Sequence, residues 1–151
     1  AVRRGREEAE LVLEKRPEQG TGYTVPLAIF AGIGPEHRLA RENVFGPVLS
    51  VIRVKDFDEA LEVANSIPYA LSGGVYSRNP ANIERAYHEF RVGNLYINRG
   101  ITGALVGRHP FGGYLRSGDA SKAGGPDYLK EFMVTRTITE NTFRSGFAPL
   151  E

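Results

Sequence analysis

The sequence predicts an α/β fold that contains a parallel sheet layer. Three runs rich in β-branched and aromatic residues, at 48–54, at 69–77 and from Asn94 onward, alternate with two stretches whose apolar residues recur at helical spacing. Strands and helices that alternate in this way form parallel sheets joined by right-handed crossovers. In open sheets of this kind, ligands bind beyond the carboxyl ends of the strands. We therefore expect a binding site after the third run.

Before this layer, the chain is expected to form one helix and one irregular strand. Residues 3–15 place charged side chains beside scattered apolar ones, which favours a short helix that Pro17 ends. Residues 23–33 alternate roughly between apolar and polar positions, and Pro26 interrupts them. Because proline donates no backbone hydrogen bond, this pattern indicates an edge or irregular strand.

The two helices of the layer have recognisable start signals. Asp56 is followed three positions later by an acidic residue, which is the pattern of a capping box. The second helix begins after Asn79, a good capping residue, with Pro80 at its first position. Beyond the layer we expect a short helix at 128–132. A threonine-rich, strand-like segment follows at 134–139, and its exposed edge would need a partner.

Composition excludes several functional classes. The 151 residues carry a net charge of +1 with dispersed basic residues, so we expect no binding of nucleic acid or of an anionic membrane. No apolar run reaches the roughly 18 residues of a membrane span. The charged N-terminus also lacks the apolar core of a secretory signal. We therefore expect a soluble, cytoplasmic protein.

Cysteine is absent from the sequence. Its absence excludes disulfides, thiolate metal sites and a cysteine nucleophile within these residues. The histidines His37, His88 and His109 show no ligand spacing, so we predict no metal site and a solvated side chain for His37. The sequence also contains no strand followed by the glycine-rich turn that opens a Rossmann unit.

A glycine-rich loop follows the third run and is the candidate binding site. Gly103, Gly107, Gly112 and Gly113 each allow a positive φ or the close approach of a ligand to the backbone. Residues 102–104 offer consecutive N–H donors that suit an anion. The alternative is a surface loop without a ligand, and the glycine spacing does not decide between the two.

Three short motifs resemble the aldehyde dehydrogenase superfamily. They are ITGALVG at 101–107, PFGG at 110–113 and FGP at 45–47. The first motif also resembles, more narrowly, the Δ1-pyrroline-5-carboxylate dehydrogenases, or L-glutamate γ-semialdehyde dehydrogenases. The resemblance implies that residues 1–133 form the C-terminal part of an aldehyde dehydrogenase catalytic domain. It also implies an oligomerisation strand and tail at 134–151.

The resemblance further implies an activity. Members of the subfamily use NAD to oxidise L-glutamate γ-semialdehyde to L-glutamate in proline catabolism, through thiolate attack, hydride transfer and thioester hydrolysis. Their catalytic cysteine and Rossmann unit have no counterpart here, so we expect a C-terminal fragment that is inactive alone. The implied partners are the small-molecule substrate, the remainder of the enzyme chain and further copies in a homo-oligomer.

The resemblance places the FGP motif against the cofactor. Phe45 would contact the nicotinamide ring of NAD. Asn43 occupies the position of a glutamate that holds the ribose hydroxyls, and it lacks the charge and one methylene of that residue. Without the resemblance, Phe45 is interpreted as a core aromatic residue at the entry of a strand.

Substrate contacts follow from the resemblance in the same way. Gly103 and Ala104 would offer backbone N–H groups to the α-carboxylate of the substrate, and Phe111 would flank its aliphatic stem. Three further residues depart in part from the subfamily pattern and have no role assigned: Arg99, Gly100 and Asp119.

Two other functions fit the sequence. The chain could be a non-catalytic α/β interaction module derived from an aldehyde dehydrogenase, or it could belong to a dehydrogenase for another carboxylated aldehyde. An upstream catalytic cysteine in the full-length coding sequence would argue against the first function. The second function keeps the fold and changes only the substrate.

Overall fold

The structure is a computed structural model that describes residues 2–16 and 22–142. The N-terminal part contains α1, β1, β2, α2 and β3, at Val2–Glu8, Glu10–Lys15, Leu27–Ala31, Arg38–Arg41 and Val48–Ser50. The central part contains α3, β4, β5, α4 and β6, at Phe57–Asn65, Tyr69–Ala70, Ser72–Val75, Pro80–Glu89 and Asn94–Ile97. The last elements are β7 at Tyr114–Leu115 and a 3-10 helix at Tyr128–Phe132.

The first three strands form a sheet in the order β1-β2-β3. Strand β1 is antiparallel to β2, and β3 is parallel to β2 with Ala28 opposite Val48. One face of this sheet is the core of the N-terminal part, where Ala28 and Phe30 are fully buried. Helix α1 packs so closely on this face that a Cβ atom on Gly5 would lie 2.7 Å from Cζ of Phe30.

Two predictions for this part are wrong. The expected helix at 3–15 ends at Glu8, because residues 10–15 pair with β2 instead of forming a helical stripe, with Leu11 opposite Phe30 and Leu13 opposite Ile29. The expected edge or irregular strand at 23–33 is β2, the central strand of its sheet. Pro26 lies just before β2 begins and therefore removes no hydrogen bond from either ladder.

The central part confirms the predicted α/β fold. Helix α4 links β5 to β6, which pair in parallel with Gly74 opposite Tyr96. The predicted strand at 69–77 is divided into β4 and β5, because Ala70 pairs antiparallel with Tyr114 of β7. In the described residues the parallel pairs β2·β3 and β5·β6 therefore belong to separate sheets instead of one continuous layer.

Both predicted helix starts are confirmed. The carboxylate of Asp56 accepts from the N–H of Glu59 at 2.9 Å, and the side chain of Asn79 accepts from the N–H of Ala81 at 3.0 Å. These bonds satisfy N–H groups that a helix leaves free at its first turn. The two helices contact each other through Arg85, whose guanidinium pairs with Asp58.

The C-terminal segment contains the expected short helix at Tyr128–Phe132. Residues 134–139 form no strand in the described part of the chain, and Val134 is 96% exposed. A strand requires a neighbouring edge, so the expected oligomerisation strand stays a prediction, and residues 143–151 of the expected tail lie outside the described residues. None of the described helices has the length and apolar character that crossing a bilayer requires.

Candidate functional site

The candidate loop leaves the sheet at the carboxyl end of the parallel pair β5·β6. Asn98 follows β6 and has a φ of 52°, a left-handed conformation that asparagine tolerates better than most residues. Its side chain accepts from the N–H of Ser77 and donates to the carbonyl of Ser77, both at 2.9 Å. The same turn therefore joins the ends of both strands and directs the chain into the loop.

Gly103 is exposed in this loop, and the next residue, Ala104, is half-buried. Gly103 has a φ of 82°, and a Cβ atom on it would meet nothing within 4 Å. Among the described residues, the N–H groups of Gly103 and Ala104 have no protein acceptor. A side chain at Gly103 would be strained by the backbone dihedral and not by a clash. Two adjacent donors are consequently free for a ligand.

Phe111 lies on the other side of the loop. Its N–H donates to the carbonyl of Ala123 and its carbonyl accepts from the N–H of Ala123, both at 2.9 Å. This bridge brings the loop against residues 121–124, beside an open cavity of about 140 Å³. Its lining residues are Ala104, Leu105, Val106, His109, Phe111, Ala123 and Gly124. Two of the three predicted substrate contacts, Ala104 and Phe111, therefore share one cavity.

Gly112 and Gly113 serve a different purpose from the one expected. A Cβ atom on Gly112 would lie 2.0 Å from the carbonyl oxygen of Ser121, and one on Gly113 would lie 2.6 Å from that of Ala70. A Cβ atom on Gly93 would in turn lie 2.1 Å from the carbonyl oxygen of Gly112. Gly112 and Gly113 let backbone segments cross, and of the four glycines named in the prediction only Gly103 and Gly107 have a positive φ.

Sequence reasoning missed two polar residues that hold this crossing together. The side chain of Asn94 donates to the carbonyl of Pro110 at 3.0 Å and accepts from the N–H of Gly112 at 3.2 Å. The ammonium of Lys122 donates to the carbonyls of Gly93 and Gly112. Burial lowers the pKa of Lys122 below its usual range. No local pattern marks either residue, because their partners are distant in sequence.

The histidines have local structural roles. His37 is only 17% exposed in its side chain and caps α2, accepting from the N–H of Leu39 at 3.1 Å. The predicted solvated side chain is therefore wrong. His109 accepts from the N–H of Leu105 at 3.2 Å and closes a turn beside the cavity. The described residues contain no group of three or more His, Cys, Asp or Glu side chains that could hold a metal ion.

The FGP motif forms a second candidate site. Phe45 has a φ of 49° and is 92% exposed, so its interpretation as a core aromatic residue is wrong for the described structure. Asn43 is also exposed and lines the same cavity of about 290 Å³ as Phe45. The carbonyl of Pro47 accepts from the N–H of Ala28 at 3.0 Å, which anchors the motif to β2.

The two candidate sites are separate in this part of the protein. The cavity beside Phe45 and the cavity beside Phe111 have no lining residue in common.

The three residues without an assigned role, Arg99, Gly100 and Asp119, have different surroundings. Arg99 lies over the Tyr96 ring at 5.4 Å, and no atom lies within 4 Å of a Cβ on Gly100. Hydrogen bonds from Ser121 lower the pKa of Asp119.

Comparison with known proteins gives close matches. The model of the aldehyde dehydrogenase family matches residues 1–138. The 1-pyrroline-5-carboxylate dehydrogenase 2 of Bacillus subtilis (strain 168) is 52% identical over 136 residues, which are 90% of this chain and 26% of that protein. The chain thus spans about a quarter of the length of the curated relatives it matches.

Solved structures match equally well. A 1-pyrroline-5-carboxylate dehydrogenase from Thermus with bound NAD has a TM-score of 0.81 and 56% identity, covering 85% of this chain and 25% of that one. Proline utilization A (PutA) from Bdellovibrio bacteriovorus, inactivated by N-propargylglycine, has a TM-score of 0.86 and 52% identity. The match covers 99% of this chain and 16% of the PutA chain.

Proposed function

Because this chain belongs to the aldehyde dehydrogenase family, we propose that it forms the substrate-anchoring part of an NAD-linked dehydrogenase. The proposed substrate is L-glutamate γ-semialdehyde, the open form of Δ1-pyrroline-5-carboxylate, and the proposed product is L-glutamate. One observation carries the proposal. The N–H groups of Gly103 and Ala104 are free of protein acceptors in the described residues, beside a cavity that contains Phe111.

The α-carboxylate of the substrate suits this pair of donors. Backbone N–H groups that bind an anion form charge-assisted hydrogen bonds, which are stronger than those between neutral groups. The positive φ of Gly103 supports this use, because a residue in the left-handed conformation is one component of the backbone turns that bind anions. The cavity beyond them is lined mainly by apolar atoms, which suits the methylene stem of the substrate.

Phe45 and Asn43 are the proposed contacts to NAD. The exposed ring of Phe45 offers an apolar face to a nicotinamide ring, and the amide of Asn43 can donate to and accept from ribose hydroxyls. Bound NAD would accept the hydride of the aldehyde. The sequence contains no cysteine, so the nucleophilic thiol of such a reaction would belong to another part of the full-length protein.

We also propose that the full-length protein is a cytoplasmic homo-oligomer. The matched relatives are bacterial, and the NAD pool of a bacterium lies in the cytoplasm, which supports this location. Apolar side chains after residue 127 support an assembly, because they are exposed in the described part of the chain and would be covered by another surface. They are Leu129, Phe132, Met133, Val134 and Ile138.

An assay with three aldehydes tests the function. The purified full-length protein should reduce NAD with L-glutamate γ-semialdehyde at a much higher kcat/KM than with propanal, which lacks a carboxylate. Glutarate semialdehyde, which has a carboxylate but no α-amino group, is the third substrate. A preference for that compound would indicate another carboxylated aldehyde as the substrate. No activity with any of the three would favour the non-catalytic interaction module.

A further inference from the structure

Lys122 binds the crossing, which is the point where the backbone at Gly93 meets the backbone at Gly112. Its Nζ atom donates to the carbonyl oxygens of Gly93 and Gly112, and it lies 3.3 Å from Oδ1 of Asn94, which it also contacts as a donor. An ammonium group has three protons, so these three acceptors use its full donor capacity. The ammonium of Lys122 therefore has an acceptor for each of its three protons.

The crossing needs such a cation for an electrostatic reason. The backbone at Gly93 and the carbonyl of Gly112 approach so closely that a Cβ atom on Gly93 would lie 2.1 Å from that oxygen. The carbonyl oxygens of both glycines turn toward the same point, where their negative ends would repel each other. The ammonium of Lys122 replaces this repulsion with two charge-assisted hydrogen bonds.

No acidic side chain of the described residues contacts the ammonium of Lys122. Burial lowers the pKa of Lys122, because it disfavours the charged form. A half-buried lysine without an ion-pair partner is costly to keep in a fold. Its contacts must therefore contribute enough to offset that cost.

The crossing lies next to the bridge that borders the loop cavity. Phe111 precedes Gly112 by one residue, and Ala123 follows Lys122 by one residue. These two neighbours form the two-way hydrogen-bonded bridge of the cavity. A second bond, from the N–H of Gly107 to the carbonyl of Gly124 at 2.7 Å, lies on the same pair of segments. Lys122 thus fixes one wall of the cavity against the other.

We propose that Lys122 is a positioning residue that sets the substrate preference of this loop, provided that the loop anchors the substrate as proposed above. Through the crossing, it holds in place Phe111, which lines the same cavity as Ala104. Loss of the ammonium lets residues 105–113 move away from 121–124. A substrate that needs both the carboxylate donors and the apolar wall is then held less well, whereas a short aldehyde is unaffected.

Kinetics of the full-length enzyme test this role. Lys122→Met keeps the apolar stem and removes the ammonium, and it should raise KM for L-glutamate γ-semialdehyde by about tenfold, with kcat and the values for propanal nearly unchanged. Lys122→Arg keeps the charge and should restore part of the loss. The matched control is Lys130→Met, which removes an exposed lysine paired with Asp127 and should change neither substrate. Equal losses on both substrates would overturn the specificity role.

Hydrogen exchange gives a readout that needs no substrate. In Lys122→Met, the amides of Gly107, Phe111 and Gly112 should exchange faster than in the wild type, because their acceptors lie across the crossing or on Asn94. Unchanged exchange at these amides would overturn the positioning role. If the methionine variant does not fold, Lys122→Gln replaces it in the kinetic and hydrogen-exchange experiments, because the glutamine amide keeps two N–H donors without the charge.

The two readouts separate this inference from the proposed function. If the wild-type enzyme does not prefer L-glutamate γ-semialdehyde to propanal, the proposed function fails on the wild type alone. If the wild type has that preference and Lys122→Met keeps it with unchanged KM, the proposed function stands and the inference fails.

Discussion

Gly103 and Gly112 differ in the physical reason for being glycine. Gly103 has a positive φ of 82° and open space around it. Gly112 has the opposite constraint, because a Cβ atom on it would lie 2.0 Å from the carbonyl oxygen of Ser121. The first glycine leaves N–H groups available to a ligand, and the second lets two backbone segments meet. Substitutions at the two positions should therefore fail in different ways.

Gly103→Val in the full-length enzyme should reduce kcat/KM for L-glutamate γ-semialdehyde by about tenfold to a hundredfold. Loss of one or two charge-assisted hydrogen bonds costs roughly 1.5–3 kcal/mol each, and valine disfavours the positive φ. Ala104→Ser is the matched control, because it keeps both N–H groups and adds only a hydroxyl. Steady-state kinetics with the semialdehyde and with propanal measure the effect. Equal losses on both aldehydes would mean that the loop is only structural.

Asn43→Glu in the full-length enzyme should tighten NAD binding. Glutamate adds a charged acceptor for ribose hydroxyls and one methylene of reach, and the exposed position of Asn43 leaves room for it. Isothermal titration gives the dissociation constant of NAD, and circular dichroism checks that the fold is intact. An unchanged or weaker affinity would show that Asn43 does not face the ribose.

At the scale of the elements, β7 and the crossing beside it are held by backbone hydrogen bonds to segments that are distant in sequence. Strand β4 pairs with β7, and the N–H of Gly93 donates to the carbonyl of Ala70 at 3.0 Å. Strand β6 is thus tied to the end of β4 on one side and to the PFGG motif on the other. Any atom added at this junction must displace backbone.

Gly112→Ala should destabilise the full-length protein by about 1–3 kcal/mol, because the new methyl group meets a carbonyl oxygen that cannot move independently. Urea denaturation measures the free energy of unfolding. Gly100→Ala is the matched control, since a Cβ atom at Gly100 meets nothing within 4 Å. Similar stabilities for the two variants would contradict the close crossing.

Strand β1 is held at its edge by an ionic cluster. Glu14 accepts from Nε of Arg16 at 2.9 Å and pairs with Arg6 of α1. Hydrogen bonds from Arg16 and Arg6 lower the pKa of Glu14 below its usual value of 4.5. A lowered pKa in the folded state means that the carboxylate stabilises the fold above the usual pKa. This contribution is lost as the pH falls through the lowered value.

Glu14→Gln should therefore be less stable than the wild type at pH 7, and the difference should shrink toward zero in strongly acidic solution. Salt should reduce the difference at pH 7, because the cluster lies near the surface. Urea denaturation of both proteins across this pH range is the measurement. A difference that does not change with pH would assign the effect to packing and not to charge.

At the scale of the whole molecule, the described part of the chain exposes apolar side chains in two places. Phe45 is exposed beside β3, and apolar side chains follow the 3-10 helix at Tyr128–Phe132. The relatives matched by this chain are more than three times its length, so other segments of such a protein are available to cover these surfaces. Catalysis would then require groups that these 151 residues do not carry.

The 151-residue chain alone should have no dehydrogenase activity, because its sequence contains no cysteine to attack an aldehyde. Absorbance of NADH at 340 nm, with the purified chain, NAD and L-glutamate γ-semialdehyde, is a direct measurement of this. The full-length protein at equal molar concentration is the positive control. NADH production by the chain alone would refute the prediction.

The sequence by itself determined the features that depend on neighbouring residues. The caps at Asp56 and Asn79 act within three residues of their helices, so local patterns predicted both helix starts. The β-branched and aromatic runs predicted the strands of the parallel pair β5·β6, and the short motifs predicted the family. The glycine at position 103 predicted either a positive φ or the close approach of a ligand, and its φ is positive.

Only the tertiary structure decided the features that depend on distant partners. Residues 10–15 are a strand because β2 is available to pair with them, although their local composition favours a helix. Position 112 must be glycine because of the backbone of Ser121. The ammonium of Lys122 is held by the carbonyls of Gly93 and Gly112, which are 29 and 10 residues away in sequence. Contacts of this kind leave no periodic trace in the sequence, because the chain geometry that brings their partners together exists only after folding.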